Sequence, residues 1–454
     1  MAKKKKQSKK KLSFGKKEYI FNIISLVIII CIGIYFGVRS FYYYGKQNMK
    51  IKEEEMTLNG LILAANKVTK EDNGLHQDTD GYYFKGNIVN NYVNFANRVF
   101  RVVRINNDNS IKLVSNDIVS EFIWGTEFSY KDSNLYQWLN VTDKEYSGVY
   151  YNTLPNVNKL LKKTSYSEDR LSDSKVKNSS EEYKDYVSTL TIKDYINANG
   201  KNSYLNINKY FWLLGLSTDD ENLYVDSDGA VQTGISYEAY GVRAVITLKK
   251  NMKVTTGDGS VNSPYVIDQG SDTNFVDQYV KLGEDKFIVS SDSNNVLKLI
   301  GTNYVSINGS VYVDNYSSTN SLYNISNRYN IGYYLNRKYL NSLSYASILS
   351  DCNYYTGEIS NETGLHYQDI YSSVVTAKVG LLNMFDYNSN TVLDDYYLLN
   401  TTSTVGSMAY IYHSSGLMEE VKVTEEKKFV PVVCIDKNLI KGGTGSETDP
   451  YIVG

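Results

Sequence analysis

Residues 242–267 read VRAVITLKKNMKVTTGDGSVNSPYVI, and residues 430–453 read VPVVCIDKNLIKGGTGSETDPYIV. Each starts as a short apolar run, passes through polar turns, and ends on G-x-G-S-x-x-x-P-Y, from Gly257 and again from Gly443. Three earlier blocks recur in the same order. FRVVRINNDNSIKLVSN from Phe100 pairs with FIVSSDSNNVLKLIGTN from Phe287. VSTLTIKDYINAN from Val187 pairs with VGLLNMFDYNSN from Val379, matching Asp194–Tyr195 with Asp386–Tyr387. YFWLLGLSTDDENLYVDSDGAV from Tyr210 pairs with YYLLNTTSTVGSMAYIYHSSGLM from Tyr396. The spacing holds near about 190 residues throughout, which is the mark of one unit written twice and not of scattered likeness.

The repeats set the domain plan. Domain one is expected over 78–268 and domain two, a diverged duplicate, over 272–454, joined by the short turn-like QGSD. The Phe100 and Phe287 blocks alternate apolar and polar residues around an Asn/Asp/Ser turn, so both are read as β-hairpins. Strands are also expected at Tyr82–Lys85, Tyr92–Phe95, Ile111–Ser115 and Val242–Leu248. Asn134–Asn140 and Val157–Lys163 are read as helical. The Ser-rich stretch Ser165–Lys184 is read as an exposed loop. Strands, then helices, then strands, with no βαβ rhythm, indicate an α+β fold of two tandem duplicated domains with mainly antiparallel sheets.

The chain of 454 residues carries a formal charge of −2, but that sum hides a split. Nine Lys and one Arg stand against one Glu in residues 1–42, leaving 38 basic and 49 acidic residues in the remainder. An acidic bulk lacks the basic face that phosphate recognition needs, so no nucleic-acid partner is expected. The basic block 1–18 runs straight into the uncharged apolar segment 19–38, YIFNIISLVIIICIGIYFGV. Its length suits a transmembrane helix, and aromatic residues flank it at both ends. The segment is too long for a signal-peptide core and no small-x-small site follows it. The Lys bias then places 1–18 as a cytoplasmic tail and the bulk outside the cell membrane. Residues 39–77 read as a stalk with a short helix presenting Leu58, Leu61, Ile62 and Ala65 on one face.

The third block, with its W-L-L, Y-V-x-S-x-G and G-V-R-A-V-I-T-L followed by G-D-G-S-x-x-x-P-Y, resembles uncharacterised extracellular domains of low-GC Gram-positive bacteria that follow an N-terminal anchor. The resemblance covers the anchor and domain one well and domain two weakly. The strand order also resembles, more loosely, the C-type-lectin-like fold. That comparison implies that Trp212 and Arg243 stand on adjacent strands, as candidates for a ligand site. Domain two departs from it, with Tyr397 at the position of Trp212 and Val430 at that of Arg243. The family implies a cell-surface location and supplies no chemistry.

Chemical motifs are sparse. Trp124, Trp138 and Trp212 all lie in domain one, and partly exposed aromatics stack on sugars or fill protein interfaces. Trp212, Arg243 and Trp138 are therefore the expected ligand-binding residues. Cys352 and Cys434 are the only cysteines outside the apolar segment. They are read either as a disulfide, as an exported context favours, or as two buried thiols. A Cys–His nucleophile with His366 or His413 is disfavoured because domain one carries neither group at the matching positions. The turns at Asp78–Gly81, Asp226–Gly229 and Gly257–Gly259 fall short of a calcium loop and suit tight hairpins, so neither metal nor cofactor is expected. No nucleophile elbow, P-loop or dinucleotide fingerprint occurs. The expected function is a single-pass, membrane-anchored, non-enzymatic binding module for an extracellular glycan or protein. The alternatives are a cell-envelope glycan hydrolase with a carboxylate pair in domain one, and a scaffold subunit of an envelope complex.

Overall fold

The computed structural model describes residues 21, 23–40, 42–43, 56–125, 129–144, 146–173, 175–180, 182–234, 236, 238–270, 274–359, 367–389, 393–402, 407–413 and 418–454. The expected basic tail 1–18, the stalk segment 44–55 and His366 lie outside the described residues. Near the N-terminus one helix, Ile23–Ser40, is 18 residues long with a mean hydropathy of 2.3. Among the described residues, none buries its apolar side chains. Length and composition therefore make it able to cross a bilayer.

Helices and mainly antiparallel sheets build the rest, in two halves that meet near residue 270. In the first half a long sheet runs in the order Val187–Thr189, Ala244–Leu248, Ile111–Ser115, Arg98–Asn106, Tyr92–Phe95, Tyr265–Ile267, Val254–Thr256. In the second half the order is Leu349–Ser350, Val432–Asp436, Val296–Gly301, Asp285–Ser293, Tyr279–Leu282, Tyr451–Val453, Ile440–Gly442. Val379–Gly380 pairs with Val432–Asp436, as Val187–Thr189 pairs with Ala244–Leu248. In both sheets the strand that follows the G-x-G-S turn closes in parallel, Tyr265 opposite Val93 and Tyr451 opposite Val280. Both long hairpins also shift register at one point, between Val102 and Arg104 and between Val289 and Ser291.

The turns explain why these strands meet where they do. Gly257 and Gly443 have φ of +102° and +90°. A Cβ there would fall 1.9 Å from the Pro264 carbonyl oxygen and 2.3 Å from that of Pro450. Only glycine lets the backbones approach this closely. Buried charge is matched in the same way. Lys112 bonds Asp194 at 3.1 Å, and Lys298 bonds Asp386 at 2.6 Å, the Asp–Tyr positions that the sequence blocks align. In the first half Thr191 caps the helix Ile192–Asn197 through the Asp194 N–H and also donates its hydroxyl to the Asp194 carboxylate at 2.7 Å.

A smaller sheet backs each long one. Its order is Val231–Gly234, Asn222–Val225, Phe211–Leu216, Ala239–Val242, Ser120–Ile123 in the first half, and Met418–Lys422, Met408–Tyr412, Tyr396–Thr402, Lys427–Lys428, Val313–Asp314 in the second. Phe211 faces Gly241 and Tyr396 faces Lys428 in parallel pairs. The expected short helix forms over Leu58–Ala65 and packs on the first half: the Leu58 N–H donates to the Met252 carbonyl at 2.8 Å, and Leu58 and Ile62 are fully buried, although Ala65 faces solvent. Two expectations change. The helix expected to reach Lys163 stops at Leu160, because the Lys162 N–H pairs with the Thr247 carbonyl. The stretch Ser165–Lys184 is not a loop but carries short strands, with Tyr166 and Tyr183 buried against Tyr130. Glu168 accepts from the Tyr130 N–H at 3.0 Å and the Tyr183 hydroxyl at 2.7 Å, so its polar composition is used inward.

A disulfide joins Cys352 to Cys434, with Cα atoms 6.0 Å apart and a sequence separation of 82. It ties the strand Cys352–Tyr355 to the buried strand Val432–Asp436. Closing so long a loop restricts the unfolded chain and contributes about 2–4 kcal/mol. The Cys352→Ala/Cys434→Ala variant should therefore melt several degrees lower than the parent. Added dithiothreitol should lower the parent's melting temperature and leave the variant's unchanged.

Candidate functional site

The two halves pack through a seam of rings around one buried ion pair. Arg98 begins the strand Arg98–Asn106, and its Nε donates to the Asp277 carboxylate of the second half. Its Nη1 donates to Thr153 Oγ1 at 2.8 Å, and the guanidinium lies 5.1 Å from the Tyr150 ring centroid and 4.5 Å from that of Tyr387. Tyr387 in turn donates to Asp277 at 3.0 Å. The Asp277 charge and these rings outweigh burial and hold Arg98 firmly protonated. Beside this network Phe122 stacks on Phe385 at 4.8 Å, and Tyr146 stacks on Tyr371 at 4.3 Å.

Above the seam lies a cleft of about 990 Å³ with walls from both halves. Ligand sites commonly fall in the range of about 300–1,000 Å³ and between domains. The first-half wall is aromatic. Tyr210 is 48% exposed and lies parallel to Tyr240 at 6.0 Å, and Tyr240 stacks on Tyr224 at 4.2 Å. Tyr396 and Tyr412 come from the second half.

The charges on the lining are mostly answered within the protein. Arg98 pairs with Asp277, Lys209 holds Asp117 at 2.9 Å, and Asp386 is held by Lys298. Glu121, on the strand Ser120–Ile123, differs. It makes no hydrogen bond or ion pair among the described residues. Burial pushes its carboxyl from the ordinary 4.5 up to about 7, with Lys209 pulling only weakly the other way. Burial, and after it the Glu121 charge, push the Tyr412 hydroxyl up to about 12. Behind the lining, Arg98 Nη2, Asn383 Nδ2 and Ser389 Oγ are buried without a hydrogen-bond partner among the described residues, as are Trp124 Nε1, Asn140 Nδ2 and Thr401 Oγ1 elsewhere in the core.

The residues expected to bind ligand sit one layer behind this lining. Trp212 is fully buried, donates its indole N–H to the Phe122 carbonyl at 2.7 Å, and supports Tyr240 edge-on at 4.6 Å. Arg243 is fully buried and clamps backbone carbonyls, Ser115 at 2.8 Å and Leu205 at 2.6 Å. With no carboxylate partner, desolvation pushes it down to about 10. Trp138 is fully buried and donates across the seam to the Phe385 carbonyl at 2.9 Å. All three are thus corrected from ligand-contacting to supporting positions, since each spends its polar atoms on backbone carbonyls. His413 pairs with Glu419 at 2.8 Å, and Cys352 and Cys434 are spent on the disulfide, which removes the Cys–His nucleophile. Asp78 and Asp226 serve as turn formers, accepting from the N–H groups of Asp80 and Asp228.

Tyr210 and Tyr396 head the third repeated block and both reach the cleft, a signal present in the sequence but not used. Asn383 and Ser389 lie in the second repeated block, and Glu121 stands in no motif. No protein-family model, no curated protein and no solved structure matches the chain.

Two outcomes follow from this geometry. Removing one partner of a buried ion pair leaves the other uncompensated and costs about 3–5 kcal/mol. Arg98→Ala should therefore unfold at markedly lower denaturant, and the double variant Arg98→Met/Asp277→Leu should recover much of the loss. Glu121, with its folded value raised, contributes stability that is complete below pH 4.5 and is lost as pH rises through about 7. Glu121→Gln should flatten the melting temperature across that window, leaving the variant ahead of the parent at pH 8.

Proposed function

We propose that this is a single-pass, membrane-anchored bacterial cell-surface protein whose ectodomain binds a glycan or protein ligand, without catalysis, in the cleft between its halves. The cleft carries the reading: it is roomy, lies between the halves, and is walled by rings from both. The apolar helix Ile23–Ser40 supports the anchor. The Lys-rich residues before it support a cytoplasmic N-terminus. The matching strand orders, bulges and Lys–Asp pairs support two copies of one unit, 78–268 and 272–454. The resemblance to anchored surface domains of low-GC Gram-positive bacteria fits the same picture.

Glycan and protein arrays probed with the full-length protein in nanodiscs test the binding. A ligand retained by the parent and lost on Tyr210→Ala is the expected result, and nothing retained at millimolar concentration contradicts it. Protease added to intact cells should remove the ectodomain. An ectodomain degraded only after lysis would reverse the orientation.

A second reading, a cell-envelope glycan hydrolase, draws on Glu121. A carboxyl raised to about 7 suits a general acid, and Asp117 lines the same cleft. Cell-wall glycans releasing new reducing ends with the parent but not with Glu121→Gln would favour this reading over simple binding.

A further inference from the structure

We propose that the first half sits directly on the bilayer surface through an apolar patch of Val68, Val89 and Val261, and that this seat holds the cleft facing away from the lipid. The inference rests on the reading of Ile23–Ser40 as a membrane anchor, and adds how the protein stands on it.

The patch is assembled from three segments far apart in sequence. Val68, Val89 and Val261 are each half or more exposed. Asn90, beside Val89, donates through Nδ2 to Asn66 Oδ1 at 3.0 Å, two residues before Val68. The Gly259 carbonyl, two residues before Val261, accepts from the Tyr92 N–H at 2.9 Å. These bonds bring the three valines to one end of the first half. One exposed valine is ordinary, but three on neighbouring loops make a patch.

The repeat shows what such a face is for. The Tyr92 and Tyr279 N–H groups donate to the Gly259 and Gly445 carbonyls, and those of Val102 and Val289 to the Asn91 and Gln278 carbonyls. Val89 and Asn90 therefore match Val276 and Asp277. In the second half that face is covered by the first: Val276 is buried and Asp277 holds Arg98. Val261 matches Glu447, which pairs with Lys286 at 3.4 Å. Each unit thus seats itself on what precedes it in the chain through this face. What precedes the first half is the apolar helix.

The chain itself names the occupant. It enters the first half at Met56, whose carbonyl accepts from the Val254 N–H. Residues 41–55 separate that point from Ser40, and any chain of that length spans at most about 55 Å. The helix LNGLILAA, Leu58–Ala65, follows at once and carries no charge, although Ala64 and Ala65 face outward. A surface helix ordinarily turns charged residues to water. The charges near the patch are mixed, Lys67 and Lys253 with Glu71 and Asp258, so apolar contact and not lipid charge carries the seat. The anchor makes that contact intramolecular, so a weak contact suffices. Orientation follows from one strand. Tyr92–Phe95 runs from the patch toward Asn97, which donates to the Asn274 and Val276 carbonyls and lines the cleft. Patch and cleft lie at opposite ends of that strand.

Introduced tryptophans read the contact, because Trp124, Trp138 and Trp212 are fully buried and give a constant background. The full-length protein is placed in phosphatidylcholine liposomes, either plain or brominated on the acyl chains. Val89→Trp and Val261→Trp are compared with Val141→Trp and Ile452→Trp, at exposed positions elsewhere on the first and second halves. The added emission of the first pair should be quenched by the brominated lipid, and that of the second pair should not. Val68→Trp should be quenched as well, and should lose that quenching when combined with Val89→Asp/Val261→Asp. Unquenched Val89→Trp and Val261→Trp, in protein that resists alkaline carbonate extraction, overturn the proposal and leave the anchor standing. Blue-shifted but unquenched emission at those two sites, growing with protein density, gives the patch to a second copy and overturns the lipid as occupant. Quenching at all four positions alike overturns the orientation. Protein stripped from the liposomes by carbonate overturns the anchor, and this inference with it.

Discussion

The Arg98–Asp277 pair is the contact on which the arrangement of the two halves turns. A guanidinium and a carboxylate withdrawn from water are costly unless their geometry is good and their remaining hydrogen-bonding capacity is used. Here Tyr387 serves the carboxylate, Thr153 takes one guanidinium nitrogen, and the Tyr150 and Tyr387 rings flank the cation. The pair therefore fixes not only the distance between halves but their orientation, because each donor has a direction. Both residues also line the cleft. The same interaction that joins the halves shapes the space between them.

Around that joint the halves share a scaffold but not a surface. Both carry the closing parallel strand, the same hairpin bulge and a buried Lys–Asp pair. Where they differ, the differences face each other or support what does. Arg243 holds the Ser115–Asn116 backbone that borders the cleft, whereas the second half has the apolar Val430 at the aligned position. Trp212 backs the Tyr240 wall, and its counterpart Tyr397 donates instead to the carbonyls of Lys422 and Glu425. The cleft is accordingly asymmetric, with the Tyr210–Tyr240 stack and Glu121 on one side and Tyr396 and Tyr412 on the other.

Much of the architecture was legible in the residues. Alternation around Asn-rich turns marked Tyr92–Phe95 and Ile111–Ser115 with the bounds they take in the structure, because a half-buried strand imposes a period of two. The glycine turns were legible because positive φ admits few other residues. The stretch Ser165–Lys184 was not, since a polar residue such as Glu168 can be buried when Tyr130 and Tyr183 satisfy it, and composition does not reveal a distant partner. The site was misplaced by one layer for a related reason. Trp138, Trp212 and Arg243 are conspicuous residues, but large rings and a strand arginine serve equally to build a core. Glu121 and Tyr412 line one cleft only because the two halves dock, so no local pattern marks it.

The account stands on the cleft being the place where ligand sits. A crystal structure of the protein with a ligand retained from the glycan and protein arrays tests that most directly. It should show the ligand lying over Tyr210 and Tyr240, between the two halves. A ligand seated elsewhere on the molecule, with the cleft empty, would contradict it.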